Sequence, residues 1–168
     1  MKKRLLSTSI STLLLGLSVM PAFADEDVTA WRLFVADHDK PVVNVIDALD
    51  GDKLATFNVK GPANLSRSES GATIFAIQGS AGVVSTIASG IAFLDHGYHA
   101  DIDIDAPKLL PLELTGKKPC HFVERQGKIA QWFDGEDSAQ ILGESAVLKG
   151  QKNITKVNVV VPHHGVAV

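Results

Sequence analysis

Short apolar runs separated by turn residues make up the chain from residue 31 onward, and long helical periodicity is hard to find. Residues 31–36, 42–47 and 54–59 each have the length and composition of a β-strand. Residues 38–41 and 50–52 between them are turn-forming, the latter of the type that joins antiparallel strands. Gly61 and Pro62 then end the third run. The pattern predicts an all-β, antiparallel fold.

The strand pattern also repeats along the chain. Residues 61–65, a turn containing Gly71 and a strand at 73–77 correspond to residues 118–122, a turn containing Gly127 and a strand at 129–133. A third copy begins at residue 161. Each unit is a four-stranded antiparallel meander of about 40 to 60 residues, which is the size of a β-propeller blade. We therefore predict the antiparallel four-stranded blades of a β-propeller.

This number of blades is too small to close a ring. Residues 25–168 supply about two to three blades, whereas propellers typically have about four to eight. An open ring leaves exposed the sheet edges and faces that further blades would cover. The sequence ends at residues 165–168 in an apolar run. We expect an incomplete propeller, the N-terminal part of a longer protein. The alternative is a small β-sandwich or barrel complete at this length.

The first 24 residues have the three parts of a secretory signal peptide. Residues 2–4 are basic, residues 5–19 are mostly apolar, and Ala22 and Ala24 occupy the positions that a signal peptidase reads. A membrane anchor is the alternative, but it needs roughly 20 apolar residues, and this run is shorter and contains Ser and Thr. We predict cleavage after Ala24 and a soluble, exported protein that is periplasmic in a Gram-negative host.

The composition narrows the classes of partner. Removing residues 1–24 changes the formal net charge from −3 to −6, so the mature chain lacks the basic footprint of a nucleic-acid-binding protein. No basic amphipathic segment suggests a membrane surface, and no membrane insertion is expected after signal cleavage. The single Cys120 cannot form an intramolecular disulfide. Packing or a bound metal must therefore stabilise the fold.

The six histidines are grouped, and histidine is the commonest protein ligand for borderline metals. The repeat places Asn64, His121 and His164 at equivalent positions, where the innermost strand of each blade begins beside the central channel. Three side chains around a narrow mouth could bind a tetrahedral zinc ion at about 2 Å. His163, next to His164, would point to the opposite side of its strand.

A second group lies in an acidic stretch. His96 and His99 are flanked by Asp95 and Asp101, and Gly97 lets the backbone fold around an ion. We predict a long loop within a blade at residues 95–105. Paired imidazoles favour zinc, copper or nickel over the calcium that carboxylates alone would bind. The alternation of Asp and Ile at residues 101–105 could instead be a half-buried strand with a solvated face.

The candidate metal ligands are thus His96, His99, Asp101, His121, His163 and His164. His38 is expected to be an exposed turn residue, and Cys120 a half-buried residue turned away from His121. Trp31 and Trp132 lie in strand patterns and are expected to pack inside. No nucleophile motif or glycine-rich phosphate loop stands out, so no catalytic residues are predicted.

Four features together resemble the N-terminal portion of the AztD-type periplasmic zinc metallochaperones. They are the signal peptide, the sequence RLFVADHD at residues 32–39, the histidine stretch at 95–101 and PHHG at 162–165. The resemblance covers essentially the whole mature chain. It implies a longer protein with a complete propeller that binds zinc and delivers it to the solute-binding protein of a zinc ABC importer, without catalysis. On this reading His121 and His164 hold the ion, and His96, His99 and Asp101 deliver it.

Two other functions remain open from the residues alone. A metal- or cofactor-dependent propeller enzyme would keep an open water position on its metal, whereas a chaperone would saturate the ion with four ligands. An interaction scaffold without metal would show no change in melting temperature with zinc.

Overall fold

The computed structural model describes residues 30–98 and 100–159, which form an almost entirely β structure. The strands are β1 (Arg32–Ala36), β2 (Val42–Asp47), β3 (Lys53–Asn58), β4 (Asn64–Arg67), β5 (Thr73–Gln78), β6 (Val83–Ala88), β7 (Ile91–Asp95), β8 (Ala100–Ile104), β9 (Lys108–Thr115), β10 (Pro119–Arg125), β11 (Lys128–Phe133), β12 (Ser138–Gly143) and β13 (Thr155–Asn158). A 3-10 helix (Asp134–Glu136) precedes β12, and a short helix α1 (Glu144–Leu148) follows it. In this part of the chain no helix is long and apolar enough to span a bilayer.

The strands form three main sheets and one hairpin, all with antiparallel pairing. Sheet 1 has the order β1-β2-β3, sheet 2 the order β4-β5-β6-β9, and sheet 3 the order β10-β11-β12-β13. The hairpin β7-β8 is inserted between β6 and β9. The predicted all-β fold of four-stranded antiparallel blades is confirmed by sheets 2 and 3. The predicted signal peptide, His99, His163 and His164 lie outside the described residues.

Sheets 2 and 3 repeat each other strand by strand, as the sequence predicts. β4 and β10 are the first strands of their sheets, and each continues through a tight turn into the next strand. Gly71 and Gly127 occupy these two turns with φ of 76° and 70°. Glycine adopts this left-handed conformation without the strain that a Cβ would add, so both turns are specified locally.

The pairing at the start of the two sheets differs, however. Leu65 of β4 lies opposite Ala76, and the repeat therefore predicts Phe122 of β10 opposite Trp132. The structure pairs Phe122 with Gln131 instead, after a register shift near the start of β10. Such a bulge absorbs an extra residue and changes the direction of the side chains beside it. Strand equivalence alone therefore does not fix the direction of the side chains that precede Phe122.

Sheet 2 is packed between sheets 1 and 3. Ile74 and Ala76 belong to a buried cluster with Val43 of sheet 1, whereas Phe75 belongs to a cluster with Phe133 of sheet 3. Successive side chains of a strand point to opposite faces, so β5 serves both clusters. Every residue of β5 is buried, as expected for a strand covered on both faces.

The stretch predicted as a long loop at residues 95–105 is mostly the β7-β8 hairpin, so that prediction is wrong. The alternative that the sequence left open, a half-buried strand with a solvated face, is confirmed: Ile102 is half-buried, and Asp101 and Asp103 are exposed. Gly97 lies in the connecting turn with φ of 84°. Alternating apolar and charged residues are suited to a strand that covers apolar surface on one side only.

Hydrogen bonds between two turns also join sheets 2 and 3. The backbone N–H of Glu69 donates to Oε2 of Glu124 at 2.8 Å, and the N–H of Gln126 donates to Oε2 of Glu69 at 3.2 Å. The hydroxyl of Ser70 donates to Oε1 of Glu144 at 2.8 Å. Glu69 thus supplies a carboxylate acceptor to sheet 3, and Glu124 of β10 and Glu144 of α1 supply acceptors to the turn of sheet 2.

Candidate functional site

A histidine and an aspartate meet near the tip of the β7-β8 hairpin. His96 Nε2 lies 3.3 Å from Asp101 Oδ2, and the two side chains are 48% and 58% exposed. Asp101 pairs across the hairpin with Leu94, so the returning strand brings its carboxylate back beside the imidazole. Oδ1 of Asp95 accepts the N–H of Gly97 at 2.7 Å, which stabilises the turn. The hairpin therefore holds an imidazole and a carboxylate together at an exposed point.

The separation of these two atoms suits a zinc ion. Two ligand atoms about 2 Å from a tetrahedral ion are about 3.3 Å apart, which is the distance found between His96 and Asp101. The same geometry also suits a zinc-bound imidazole whose other nitrogen donates to a carboxylate. In residues 30–98 and 100–159, no group of three or more His, Cys, Asp and Glu side chains is placed to hold a metal. The pair could supply two of the four ligands of a tetrahedral ion, and the participation of His96, Asp101 and His99 in a zinc site stays a prediction.

Only part of the second predicted group of ligands, His121 with His163 and His164, lies within the described residues. His121 lies in β10, and Asn64 begins β4, so both belong to the first strands of sheets 3 and 2, and both are exposed. His121 also lies in the segment where the register of β10 shifts. The convergence of His121 with His164 stays a prediction.

Cys120 lies in β10, the first strand of sheet 3, and is half-buried, as predicted. Its Sγ lies 3.6 Å from the backbone carbonyl oxygen of Trp132. Burial, followed by the contact with the carboxyl group of Asp134, raises the pKa of the Cys120 thiol. Because zinc binds the thiolate, this environment disfavours Cys120 as a ligand.

His38 is an exposed turn residue, which confirms the sequence interpretation. The turn is fixed by Oδ1 of Asp37, which accepts the N–H groups of Asp39 at 2.8 Å and Lys40 at 3.0 Å. The hydrogen bond from Asp39 is the largest cause of a lowered pKa for the Asp37 carboxyl group. The Asp37 carboxylate next to His38 is thus occupied in shaping the turn.

The sequence interpretation missed an open cleft of about 830 Å³ between β1, β4 and the β7-β8 hairpin. Its lining includes Trp31, Phe34, Phe93 and Ile102. Trp31 and Phe93 are each 64% exposed, so the prediction that Trp31 packs inside is wrong. Phe93 pairs with Ile102 across the hairpin. The alternation of Ile and Asp at residues 101–105 was the available sequence signal for a strand with one apolar face.

No family model matches the sequence. Over all 168 residues the chain is 97% identical to the zinc chaperone AztD of Citrobacter koseri. The chain closely resembles AztD. It spans 40% of that protein's length, and the sequence-based resemblance is confirmed.

Two solved structures bear out the fold. The crystal structure of Citrobacter koseri AztD matches with a TM-score of 0.80 and 96% identity, over 83% of this chain and 37% of that one. The structure of apo AztD from Citrobacter koseri matches with a TM-score of 0.79 and 96% identity, over 84% of this chain and 38% of that one. The arrangement of sheets described above is therefore also that of a segment of AztD.

Proposed function

We propose that the protein binds zinc in the periplasm and delivers it to the solute-binding protein of a zinc ABC importer. The observation that carries this proposal is the His96 and Asp101 pair on an exposed hairpin, in a chain 97% identical to a zinc chaperone. The predicted signal peptide at residues 1–24 supports the periplasmic location. The relative is named a chaperone and not an enzyme, which supports binding and transfer without catalysis.

Zinc is the cargo in this scheme, and the exposure of the hairpin suits its release. A neutral imidazole and a carboxylate bind the ion, and protons compete for the imidazole as the pH falls through the histidine range. An exposed partial ligand set leaves coordination positions for the ligands of an acceptor, whereas a buried closed cage would have to open first. We assign delivery to His96, His99 and Asp101.

The inner strands supply the second part of the proposal. His121 and His164, with His163 beside them, hold zinc near the starts of the first strands of their blades. The positions of His121 and Asn64 on equivalent strands of sheets 3 and 2 support this assignment.

Zinc titration of the longer protein against a chromophoric chelator tests the proposal. His96→Ala and Asp101→Asn should each weaken the hairpin site by at least about tenfold, and His164→Ala should weaken the inner one. His38→Ala is the matched control, since His38 is exposed in a turn of sheet 1 and should leave both affinities unchanged. Zinc occupancy that is the same in His96→Ala, His99→Ala and His164→Ala as in the parent would disprove the assignment.

A further inference from the structure

The β7-β8 hairpin has two chemically different faces. Directly opposed residues of an antiparallel pair share a face. The register puts one set of apolar residues together: Ile91, Phe93, Ile102 and Ile104. It puts a mixed acidic set on the other face: Ala92, Leu94, Asp101 and Asp103. The first set includes residues that line the cleft, so the second face points away from the cleft into solvent.

The outward face is exposed and strongly acidic. Leu94 is 43% exposed, with Asp101 directly opposite it in the returning strand and Asp103 two residues further along on the same face. Residues 91–105 contain four Asp and neither Lys nor Arg. The charge of Arg32 lies near Asp105 and Asp47, at the base of the hairpin and not on this face. Because Asp101 contacts His96, the acidic face is continuous with the candidate zinc pair.

Sheets 1 and 3 do not cover the outward face of the hairpin. Sheet 2 carries the hairpin between β6 and β9, and its two sides are already packed against sheets 1 and 3. Within the described residues, the outward face of the hairpin is covered by neither sheet 1 nor sheet 3.

We propose that the acidic outward face of the hairpin docks onto a basic surface of the zinc-accepting protein, with Leu94 making the central apolar contact. This inference rests on the proposed function and adds the chemistry of the partner. Complementary charge raises the rate of encounter by about 10 to 1,000-fold and sets the orientation of the two proteins. Docking on this face brings His96 and Asp101 next to the acceptor's own zinc ligands, so the ion can pass through a shared intermediate.

Asp103 offers a clean test because it is exposed, shares the face with Ala92 and is outside the proposed zinc ligands. The experiment uses the zinc-loaded longer protein and the zinc-free solute-binding protein of the importer, with the transfer rate followed by stopped flow. Asp103→Lys should lower the second-order rate constant at least about tenfold at low salt, and the milder Asp103→Asn should give an intermediate value. Asp52→Lys, an exposed change of equal charge in sheet 1, is the matched control.

Salt separates steering from any other effect. The Debye length is about 30 Å at roughly 10 mM salt and about 3 Å at roughly 1 M, so the rates of Asp103→Lys and the parent should converge at high salt. Equal rates for Asp103→Lys and Asp52→Lys at low salt, with zinc affinity unchanged, would overturn the docking face alone. A parent protein that transfers no zinc to this acceptor would instead overturn the proposed function, and the docking face with it.

Discussion

Glu69 and Glu124 connect neighbouring blades through a hydrogen bond of 2.8 Å from the backbone N–H of Glu69 to Oε2 of Glu124. The other oxygen of Glu124 is buried and makes no hydrogen bond to the described part of the chain. Burial raises the pKa of the Glu124 carboxyl group, the N–H of Glu69 lowers it in part, and the charges of Glu144 and Glu69 raise it further. The ionised form of Glu124 is thus disfavoured in the folded protein.

Glu124→Gln should therefore stabilise the protein at neutral pH. The pKa of Glu124 is higher in the folded than in the unfolded protein. The contribution of the protonated carboxyl group to stability is therefore complete below the unfolded-state pKa and is lost as the pH rises through the folded-state pKa. Glutamine keeps an oxygen acceptor for Glu69 without the charge. We expect a melting temperature about 2 to 4 °C higher at neutral pH and a smaller pH dependence just above the ordinary carboxyl range.

Thermal melts of Glu124→Gln and of the parent between about pH 4 and pH 8 measure this effect. Asp103→Asn, which removes an exposed carboxylate from the hairpin, is the matched control and should leave the melting curve unchanged. A lower melting temperature for Glu124→Gln at neutral pH would show that the charged form is the favoured one.

Glu136 is expected to respond to pH in the opposite direction. Its Oε1 accepts hydrogen bonds from Lys156 Nζ and Ser138 Oγ, both at 2.9 Å, and these bonds lower its pKa. The contribution of ionised Glu136 to stability is present above the ordinary carboxyl pKa and is lost as the pH falls through the folded-state pKa of Glu136. Glu136→Gln should cost about 0.5 kcal/mol at neutral pH in urea unfolding, and less in acid. Lys156→Gln removes the same ion pair, so the losses of stability in the two single variants should not add in the double variant. Additive losses would show that Glu136 and Lys156 are not coupled.

Gly116→Ala should destabilise the junction between sheets 2 and 3. A Cβ at this position would lie 2.5 Å from Cδ1 of Phe133 and 2.7 Å from Oε1 of Glu136. Phe133 is fully buried, so the ring has little room to move, and we expect a loss of about 1 to 3 kcal/mol in urea unfolding. Gly143→Ala is the matched control, since its Cβ would meet only Gly127 O at 3.9 Å. Equal stability of the two variants would contradict the packing.

Zinc should raise the melting temperature of the longer protein, and a chelator should reverse the change. Binding to the folded state alone at about 100 times Kd adds about 2.7 kcal/mol to the free energy of unfolding. The increase should be smaller at about pH 5 than at pH 7, because protonated imidazoles cannot bind the ion. Melting curves that are identical with zinc and with chelator at neutral pH would favour an interaction scaffold.

The repeat of the strands was predictable because its signals are local. Apolar runs of strand length and glycines such as Gly71 and Gly127 specify strands and turns without knowledge of the rest of the fold. The register shift at the start of β10 was not predictable, since the sequence on either side reads as an ordinary strand. The position of the shift depends on which residues of β11 and of the neighbouring sheet the side chains of β10 have to cover.

The candidate site was predictable to a similar extent. His96 and Asp101 are close in sequence, so any compact turn would bring them together. The hairpin was harder to predict, because the sequence allows either a loop or a strand at β8. The apolar surface that Ile102 covers belongs to other strands, so the pairing of β8 with β7 depends on residues far away in the sequence. The exposure of Trp31 likewise depends on the cleft between β1, β4 and the hairpin.

The insertion point of the hairpin makes its tip, with the His96 and Asp101 pair, a separable module. β6 and β9 pair with each other at Ala88 and Lys108, immediately before and after the insertion, so sheet 2 is complete without residues 91–105. Changes of length or ligand type at the tip therefore leave the packed core of the blades intact. If the proposed function holds, metal preference and partner choice can change in this segment without a change in the stability of the scaffold.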